Sequence, residues 1–357
     1  MYAILGQGIA GTILALRFLE RGEKFKIFDD NYSNSSSMVA AGLWNPIVFR
    51  RINKSWRADE FINEIESFYP KWEEKLGVHF YFPKPVWRIH GSKQERDKWD
   101  EKKMLPGFQG YLKDITPHLE KFSGFEASHG EGEIGHTGYL DLPVFLKETR
   151  NYFRELNVYK QTALPETPDS NYFAENGDRI DGIIDCRGNS AALTSWWSYL
   201  PFGLTKGEVL TLSCPGLKLD KTFNAGFFVL PLGGDLFRVG ATFNWDQKDS
   251  LPTESGKEEL LTKFKKFVNL PFEVVDHRAG LRPTVQDRRP LIGKHPEISN
   301  LFSFNGLGTK GVLLAPSLSV HFLKSLFEGL PLPADLDISR FDHLFGTRNP
   351  QVNFPVA

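Results

Sequence analysis

The first thirty or so residues combine two apolar runs, a glycine-rich turn and a helical pattern in a fixed order. Tyr2–Leu5 is apolar and short enough for a buried parallel strand, and Gly6–Gly11 follows it directly. Apolar residues then recur with helical spacing over Ile9–Leu19, and Gly22 is placed to end that helix. Phe25–Phe28 predicts a second strand. The chain therefore begins with a strand, turn, helix and strand unit.

The glycines of this unit predict a dinucleotide site. Gly6 allows a tight turn, Gly8 lets the backbone approach a pyrophosphate, and Gly11 permits close packing of the helix on the strand. The N–H groups of the helical turn that begins at Ile9 face the phosphates. Asp29, at the end of the second strand, is placed to accept bonds from ribose hydroxyls. The alternative is a βαβ unit whose glycines occur by chance.

Composition excludes several classes of protein. Lys and Arg total 43 and Asp and Glu total 44 in 357 residues, so the net charge of −1 argues against a general nucleic-acid-binding protein without excluding a local basic patch. The spacing of Cys186 and Cys214 fits neither a metal site nor a disulfide framework. We therefore expect no metal and a cytoplasmic location. The first helix is too short and too interrupted to span a membrane, and we expect no targeting peptide before it.

The middle of the chain alternates between two kinds of pattern, which predicts two discontinuous domains. Helical periods and buried-strand runs assign residues 1–76, 139–203 and 278–357 to the domain that holds the dinucleotide. Alternating strand-like runs, with a Gly-Gly-Asp hairpin signal, assign residues 77–138 and 204–277 to a second, mostly antiparallel domain. The fold class is therefore α/β with a second α+β domain.

Three local segments add to this prediction. Small residues in Met38–Pro46 suit either close approach to a flat ligand or a tight helix against the first unit. Phe125–Tyr139 is predicted to be extended. Near the end of the chain, a strand at Leu301–Asn305 leads through Gly306–Gly311 into a helix at Val312–Phe327, which directs a second helix N-terminus at an anionic ligand.

These motifs together resemble the FAD-dependent D-amino-acid oxidase and glycine oxidase superfamily, in order and over nearly the whole chain. The segments that carry the resemblance, besides the first glycine turn, are Ala40–Gly42, the strand that runs to Gly188, Lys206–Glu208, Gly280–Pro283 with Asp287–Gly293, and Gly306–Pro316. The resemblance implies a Rossmann-type FAD-binding domain of the glutathione-reductase-like type. It also implies that substrate binds beneath the antiparallel sheet.

The resemblance implies FAD rather than NAD, bound noncovalently because the last glycine loop has no cysteine. The FAD contacts it implies are Gly6, Gly8, Ile9, Ala10, Gly11, Asp29, Asp30, Ser37, Ala41, Gly42, Gly188, Gly308, Thr309, Lys310, Gly311 and Val312. Lys310 or the helix N-terminus beside it would stabilise negative charge on the reduced flavin.

Three residues are candidates for catalytic roles. Arg282 matches the position at which glycine-oxidase-like members bind the substrate carboxylate, with a structural ion pair as the alternative. Lys310 is the candidate for flavin electrostatics, and Tyr139 is either a polar group of the pocket or a core residue. Phe227 and Phe228 stand where many relatives place a tyrosine, so the sequence offers no second carboxylate contact there.

The expected activity is oxidation of a C–N bond in a small amine or amino acid by hydride transfer to FAD. One alternative is a tRNA-modifying oxidase, because Gly306–Gly311 and Trp44–Pro46 resemble the enzyme that finishes modified wobble uridine. Another is a flavin-binding protein without turnover. A basic cluster at Arg50, Arg51, Lys54 and Arg57, with Trp56, is either a solvated face or a contact for an anionic substrate or tRNA. His136 and His277 are expected to be structural.

Overall fold

A computed structural model of the chain describes residues 1–31, 34–115, 129–174 and 179–346. The helices in these ranges are α1 (Ile9–Arg21), α2 (Ser36–Val39), α3 (Ala58–Leu76), α4 (Lys93–Lys103), α5 (Leu142–Glu155), α6 (Ser170–Phe173), α7 (Glu254–Lys265) and α8 (Gly311–Glu328). Short 3₁₀ helices are formed by Pro106–Phe108, Gly188–Leu193 and Ile338–Leu344.

The strands in the same ranges are β1 (Tyr2–Leu5), β2 (Phe25–Asp29), β3 (Leu43–Trp44), β4 (Ile47–Val48), β5 (Asn53–Lys54), β6 (Tyr81–Pro83), β7 (Val86–Ile89), β8 (Leu112–Lys113), β9 (Glu131–Ile134), β10 (Gly138–Leu140), β11 (Tyr159–Gln161), β12 (Gly182–Asp185), β13 (Thr205–Ser213), β14 (Thr222–Asn224), β15 (Phe228–Gly233), β16 (Leu236–Gly240), β17 (Glu273–Arg282), β18 (Leu291–Lys294) and β19 (Leu301–Asn305). They form sheets of six, eight, three and two strands.

The six-stranded sheet has the order β11-β2-β1-β12-β19-β18 and is parallel except for the edge strand β18. Alternate side chains of β1 enter different cores, because successive residues of a strand point to opposite faces. Ile4 packs with residues of α1, α3, α5 and α8, whereas Ala3 and Leu5 pack with Phe173 and Trp197 on the other face. Apolar burial on both faces explains why β1 is a continuous apolar run.

The eight-stranded sheet has the order β17-β13-β16-β15-β14-β7-β9-β8. Its pairs are antiparallel except for β14 with β7. Leu260 and Phe264 of α7 pack into an apolar cluster on one face of this sheet. Across the sheet, strand register aligns a row of residues from β13 to β7, which is Val209, Gly240, Phe228, Asn224 and Arg88.

Local capping explains several helix ends. Gly22 has a left-handed backbone with φ of 71°, and its N–H donates to Leu19 O at the end of α1. At the start of α4 and α7, the hydroxyls of Ser92 and Thr253 accept the backbone N–H of Glu95 and Gly256, respectively. Glycine is typical of helix C-termini, and serine and threonine are typical of helix N-termini, so these helix ends agree with the sequence.

The structure confirms the predicted fold class, with a parallel-sheet domain and a mostly antiparallel second sheet. Met38–Pro46 is not the tight helix of the second alternative, because α2 ends at Val39 and the chain then extends into β3. In Phe125–Tyr139, strands β9 and β10 are extended as predicted, and residues 125–128 lie outside the described ranges. The domain limits stay a prediction. β17 runs across the predicted boundary between residues 277 and 278 as one strand, and residues 347–357 are also outside the described ranges.

Candidate active site

A cavity of about 930 Å³ lies between the carboxyl ends of the parallel strands and one face of the eight-stranded sheet. The aligned row from Val209 to Arg88 lines it on the sheet side, and the glycine turn after β1 lines it on the other. The volume is at the upper end of the roughly 300–1,000 Å³ that is typical of ligand sites. The cavity therefore has room for much more than a small amine alone.

The first glycine turn is closely packed, and each of its glycines is required for a different structural reason. Gly6 has φ of +90°, which favours glycine. A Cβ added at Gly11 would overlap the carbonyl oxygen of Gly6, and one at Gly8 would lie 3.2 Å from Ser37 Oγ. Gly11 therefore sets the packing behind the turn and does not itself line the cavity, whereas Gly8, Ile9 and other residues of the turn do.

Asp29 lies at the end of β2 beside this turn. Its Oδ1 accepts the N–H of Gln7 at 2.8 Å, and its Oδ2 accepts the N–H of Asn31 at 2.9 Å. Burial, followed by the charge of Asp29, raises the pKa of the neighbouring Tyr159 to about 12. Asp29 and Asp30 both line the cavity, and the backbone bonds fix the orientation of the Asp29 carboxylate. We call this part of the cavity, around Asp29 and the first glycine turn, the nucleotide end.

Ser37, Ala41 and Gly42 line the cavity beside the first glycine turn. Ser37 Oγ accepts the N–H of Ile9 at 3.0 Å, so it is bonded to the first turn of α1. Gly42 has φ of +71°, and a Cβ there would overlap the carbonyl oxygen of Leu140. This close approach to β10, rather than ligand contact alone, accounts for glycine at position 42.

The second glycine turn brings another helix start to the same cavity. Gly306 and Gly308 have φ of +73° and +56°, and α8 begins at Gly311. A Cβ added at Gly311 would lie 2.8 Å from Ile9 Cγ2, so the starts of α1 and α8 pack against each other. Gly308, Thr309, Gly311 and Val312 line the cavity, as does Gly188 with φ of +60°.

Lys310 belongs to this turn, is half-buried and does not line the cavity. Burial lowers its pKa to about 8, and no carboxylate of a described residue is within ion-pair distance of its ammonium group. A buried lysine without a counterion favours negative charge nearby. Its predicted role toward the cofactor stays a prediction.

Arg282, the last residue of β17, lines the cavity, and its side chain is half-buried. Its nitrogens donate to the carbonyl oxygens of Lys206 and Thr242 at 3.2 Å. The distance from the guanidinium carbon to the centroid of the Phe243 ring is 4.3 Å. A Cβ at Gly207 would overlap the guanidinium group. Gly207, Thr242 and Phe243 therefore place Arg282 against the sheet.

Burial lowers the pKa of Arg282 to about 10, so the side chain stays protonated at neutral pH. Within the described ranges it has no ion pair with a carboxylate. The structural alternative raised by the sequence, an ion pair inside the protein, is therefore absent from the described residues. A desolvated guanidinium group with free donors suits a bound carboxylate.

Other predicted residues lie elsewhere. Tyr139 is in β10, where its ring stacks on Phe82 with centroids 4.5 Å apart, and it does not line the cavity. The structure therefore does not support the predicted catalytic role of Tyr139. His136 Nδ1 is 3.0 Å from Glu66, and His277 Nε2 is 2.8 Å from Glu208, which agrees with the structural roles expected for both.

The basic cluster separates into paired and unpaired residues. Lys54 bonds to Asp59 at 2.6 Å, and Arg57 pairs with Glu60 and Asp335. Arg50 is exposed and lines the cavity, whereas the adjacent and also exposed Arg51 does not. The sequence places these basic residues close together in the chain, but it does not show which of them reaches the cavity.

Some cavity residues have no clear sequence signal. Arg88 donates to Glu95 at 2.7 Å and to the side-chain oxygen of Asn224 at 2.6 Å, across two neighbouring strands. Phe243, beside Arg282, is 61% exposed. Both positions depend on the pairing of distant strands, which no local motif reports.

Two kinds of feature are absent from the described part of the chain. It contains no group of three or more His, Cys, Asp or Glu side chains placed to hold a metal ion. None of its helices has the length and apolar character needed to cross a bilayer.

Comparison with known proteins adds a family match. The model of the DAO family, described as FAD dependent oxidoreductase, matches residues 1–321. Glycine oxidase from Bacillus licheniformis is 33% identical over 339 residues, which cover 88% of this chain and 89% of that protein.

Two further matches bear on the alternatives. The tRNA 5-methylaminomethyl-2-thiouridine biosynthesis bifunctional protein of Leptospira interrogans is 23% identical over 96% of this chain but only 59% of its own length. The solved structure of glycine oxidase from Geobacillus kaustophilus has a TM-score of 0.77 and 20% identity, covering 95% of this chain and 97% of that one. At this identity the second match shows a shared fold.

Proposed function

The chain belongs to the FAD-dependent oxidoreductase family, and on that basis we propose that it oxidises the C–N bond of a small amine or amino acid that carries a carboxylate. The observation that carries the proposal is Arg282, whose half-buried guanidinium group lines the cavity and has no ion pair with a described residue. Similarity to glycine oxidase from Bacillus licheniformis supports the same class of substrate.

The cavity fits FAD at its nucleotide end. Gly8 and the start of α1 approach the cavity without side chains between, and the overlap that a Cβ at Gly11 would cause keeps this turn compact. Asp29 would hold the ribose, and the second glycine turn, Gly306–Gly311, would lie along the flavin. FAD, when bound, supplies the acceptor for the two electrons and the hydrogen of the substrate C–H bond.

Noncovalent binding is part of this proposal. Cys186 lines the cavity, but it lies at the nucleotide end. A Cβ added at Gly11 would be 3.3 Å from the Cβ of Cys186. Burial raises the pKa of its thiol well above the usual value, so it stays protonated and is a poor nucleophile. Cys214 is buried outside the cavity. After acid precipitation, we expect the yellow colour in the supernatant; colour that stays on the pellet would contradict noncovalent binding.

The contribution of the chain to the reaction is orientation and charge. A bidentate bond from Arg282 to the substrate carboxylate would fix the α-carbon in the cavity. The described lining includes no histidine, lysine or glutamate, and its aspartates are Asp29 and Asp30 at the nucleotide end. The amine must therefore reach the cavity already neutral, with its proton released to solvent. On this basis kcat/KM rises with pH up to the pKa of the substrate amine.

The test is anaerobic mixing of the FAD-loaded protein with a panel of amines and amino acids while the flavin absorbance is recorded. We expect bleaching by carboxylated amines and a loss of roughly 100-fold in kcat/KM for Arg282→Met, because a desolvated charge pair is broken. Arg282→Lys keeps the charge but not the planar fork, so it should recover only part of the loss. Equal rates for carboxylated and uncarboxylated amines would contradict the proposed role of Arg282.

The tRNA-modifying alternative has weaker support. Similarity to the bifunctional protein of Leptospira interrogans covers most of this chain, but Lys54 and Arg57 of the basic cluster are paired with carboxylates. Phosphate binding favours cations that are free to release counterions. Filter binding of bulk tRNA over a salt series tests this alternative, and no retention at low ionic strength would exclude it.

A further inference from the structure

Five arginines line the cavity, and they differ in what neutralises them. Arg88 pairs with Glu95 at 2.7 Å, and Arg187 pairs with Asp185 at 2.6 Å. Arg150 bonds to the side-chain oxygen of Gln7 at 2.6 Å and is 4.0 Å from Asp29. Arg50 and Arg282 are the two lining arginines without a carboxylate partner in the described ranges.

These two free cations are at the part of the cavity that the eight-stranded sheet covers, which we call the substrate end. The acidic residues of the described lining, Asp29 and Asp30, are at the nucleotide end. No carboxylate of the lining therefore compensates Arg50 or Arg282 locally. A concave surface with uncompensated positive charge concentrates anions.

Arg50 and Arg282 approach the substrate end from opposite sides. The Arg282 guanidinium group lies against Gly207 on β13. Arg50 follows Phe49, whose ring lies 4.8 Å from the guanidinium carbon of Arg88 on β7. That guanidinium group bonds to Asn224 on β14 at 2.6 Å, and the order β13-β16-β15-β14 separates β13 from β14 by three steps. At about 4.8 Å per step, the two strands are roughly 14 Å apart.

One small amino acid cannot span that distance. An extended chain covers at most about 3.6 Å per residue, so glycine bound at Arg282 leaves the Arg50 side of the cavity without an anion. Even with both arginine side chains directed inward, a ligand that binds both guanidinium groups must have two anionic groups several bonds apart.

We infer that the substrate is a dianionic amine, with one carboxylate bound by Arg282 and a second carboxylate, at the far end of an N-substituent or side chain, bound by Arg50. This inference deepens the proposed C–N oxidation and rests on it. Arg50 is a specificity-determining residue in this arrangement, because it contacts the distal group and not the reacting carbon. Its exposure limits the gain, since water and salt screen the pair.

The chain provides a matched control for Arg50. Arg51 is adjacent, has the same charge and is also exposed, but it does not line the cavity. Arg50→Gln and Arg51→Gln change the net charge equally, so a difference between them reports position and not overall charge. Within the described ranges, neither residue forms an ion pair whose loss would destabilise the fold.

The experiment compares N-(3-carboxypropyl)glycine with N-butylglycine, which keeps the glycine carboxylate but has an uncharged N-substituent, each mixed anaerobically with the FAD-loaded protein. We expect a preference of about fivefold or more for the dianion in the unmodified protein and in Arg51→Gln, and a preference below about twofold in Arg50→Gln. The preference should also decrease as salt is added. Equal kcat/KM values for the two compounds in the unmodified protein, or a preference that survives in Arg50→Gln, would overturn the inference.

A binding measurement separates this inference from the proposed function. Heptanedioate and heptanoate are a dicarboxylate and a monocarboxylate without an amine, and their chains are as long as that of N-(3-carboxypropyl)glycine. The change that each causes in the flavin absorbance gives its dissociation constant. Tighter binding of heptanedioate that depends on Arg50, with no amine able to bleach the flavin, would keep the dianion site and reject amine oxidation. Bleaching by amines with equal binding of the two acids in the unmodified protein and Arg50→Gln would keep the oxidation and reject the dianion site.

Discussion

The nucleotide end and the substrate end of the cavity treat their polar groups in different ways. At the nucleotide end, Asp29 accepts two backbone N–H groups and Arg187 pairs with the buried Asp185. At the substrate end, Arg282 bonds only to carbonyl oxygens and Arg50 has no ion pair with a described residue. At the nucleotide end the charged groups are paired within the protein and the backbone lines the cavity. At the substrate end the two arginines have no carboxylate partner among the described residues and are available to bind an anionic ligand. The first arrangement favours a cofactor that stays, and the second favours a substrate that must leave.

The largest effect is expected at the nucleotide end, from Gly11→Ala. The added Cβ would overlap the Gly6 carbonyl oxygen, and the two backbone segments cannot separate without moving the turn that we propose holds the pyrophosphate. We expect FAD affinity to fall by about 100-fold or more, as measured by the ratio of flavin to protein absorbance after gel filtration.

Gly107→Ala is the control for Gly11→Ala, because a Cβ at Gly107 meets no atom within 4 Å. It should retain its flavin. Full retention of FAD by Gly11→Ala would show that the turn adapts, and the contrast between a rigid nucleotide end and an open substrate end would weaken.

The two ends also differ in how far the sequence predicts them. The first glycine turn, α1 and Asp29 lie within thirty or so residues, so local patterns indicate both their structure and their shared site. The helix predicted over Val312–Phe327 is observed as α8, Gly311–Glu328, because its apolar period is a local pattern of the same kind. The fold class followed from the alternation of such patterns.

The substrate end depends on residues far apart in the chain. Arg282 was identified from a family resemblance, but its contacts with Thr242 and Gly207 require β17, β13 and the segment after β16 to meet. The sequence leaves Tyr139 open between the pocket and the core for the same reason, because the pairing of β10 with β6 is what stacks it on Phe82. Strand pairing, which has no local signal, decides which side chains reach this end.

A smaller effect is expected from Gly207→Ala at the substrate end. The new Cβ would displace the Arg282 guanidinium group, whose flexible side chain can move where a backbone cannot. We expect FAD to be retained and kcat/KM for carboxylated amines to fall about 10- to 100-fold, since charge-assisted hydrogen bonds contribute about 1.5–3 kcal/mol. Steady-state kinetics and flavin content, measured on one preparation, check both parts. A loss of flavin equal to that of Gly11→Ala would mean that the two ends are not separable.

The lowered pKa of Lys310, in the second glycine turn, predicts how the stability of the protein changes with pH. Its pKa is lowered from 10.5 to about 8, so between these values the unfolded chain holds a proton that the native protein lacks. Stability from this group therefore rises with pH across about 8 to 10.5 and is lowest below pH 8. Lys310→Met removes the buried charge, so it should raise the unfolding midpoint by on the order of 2 °C at pH 7, with the difference shrinking toward pH 10.5.

The control for Lys310→Met is Lys324→Met, which removes an exposed lysine from the same helix. Thermal unfolding from pH 7 to 10.5 compares the two variants with the unmodified protein. A Lys310→Met midpoint that is lower at pH 7 would indicate that the charge is stabilised by a bound anionic group, which would place Lys310 with the substrate-end cations rather than with the internally satisfied residues.

The smallest effect is expected from Tyr139→Phe. The ring of Tyr139 stacks on Phe82, and it does not line the cavity, so removing the hydroxyl should leave both packing and chemistry nearly unchanged. We expect kcat/KM within about twofold of the unmodified protein, because substitutions away from a site and from buried networks have small effects. A loss as large as that of Gly207→Ala would mean that β10 moves toward the substrate when it binds, and the substrate end would then extend beyond the sheet that holds Arg282.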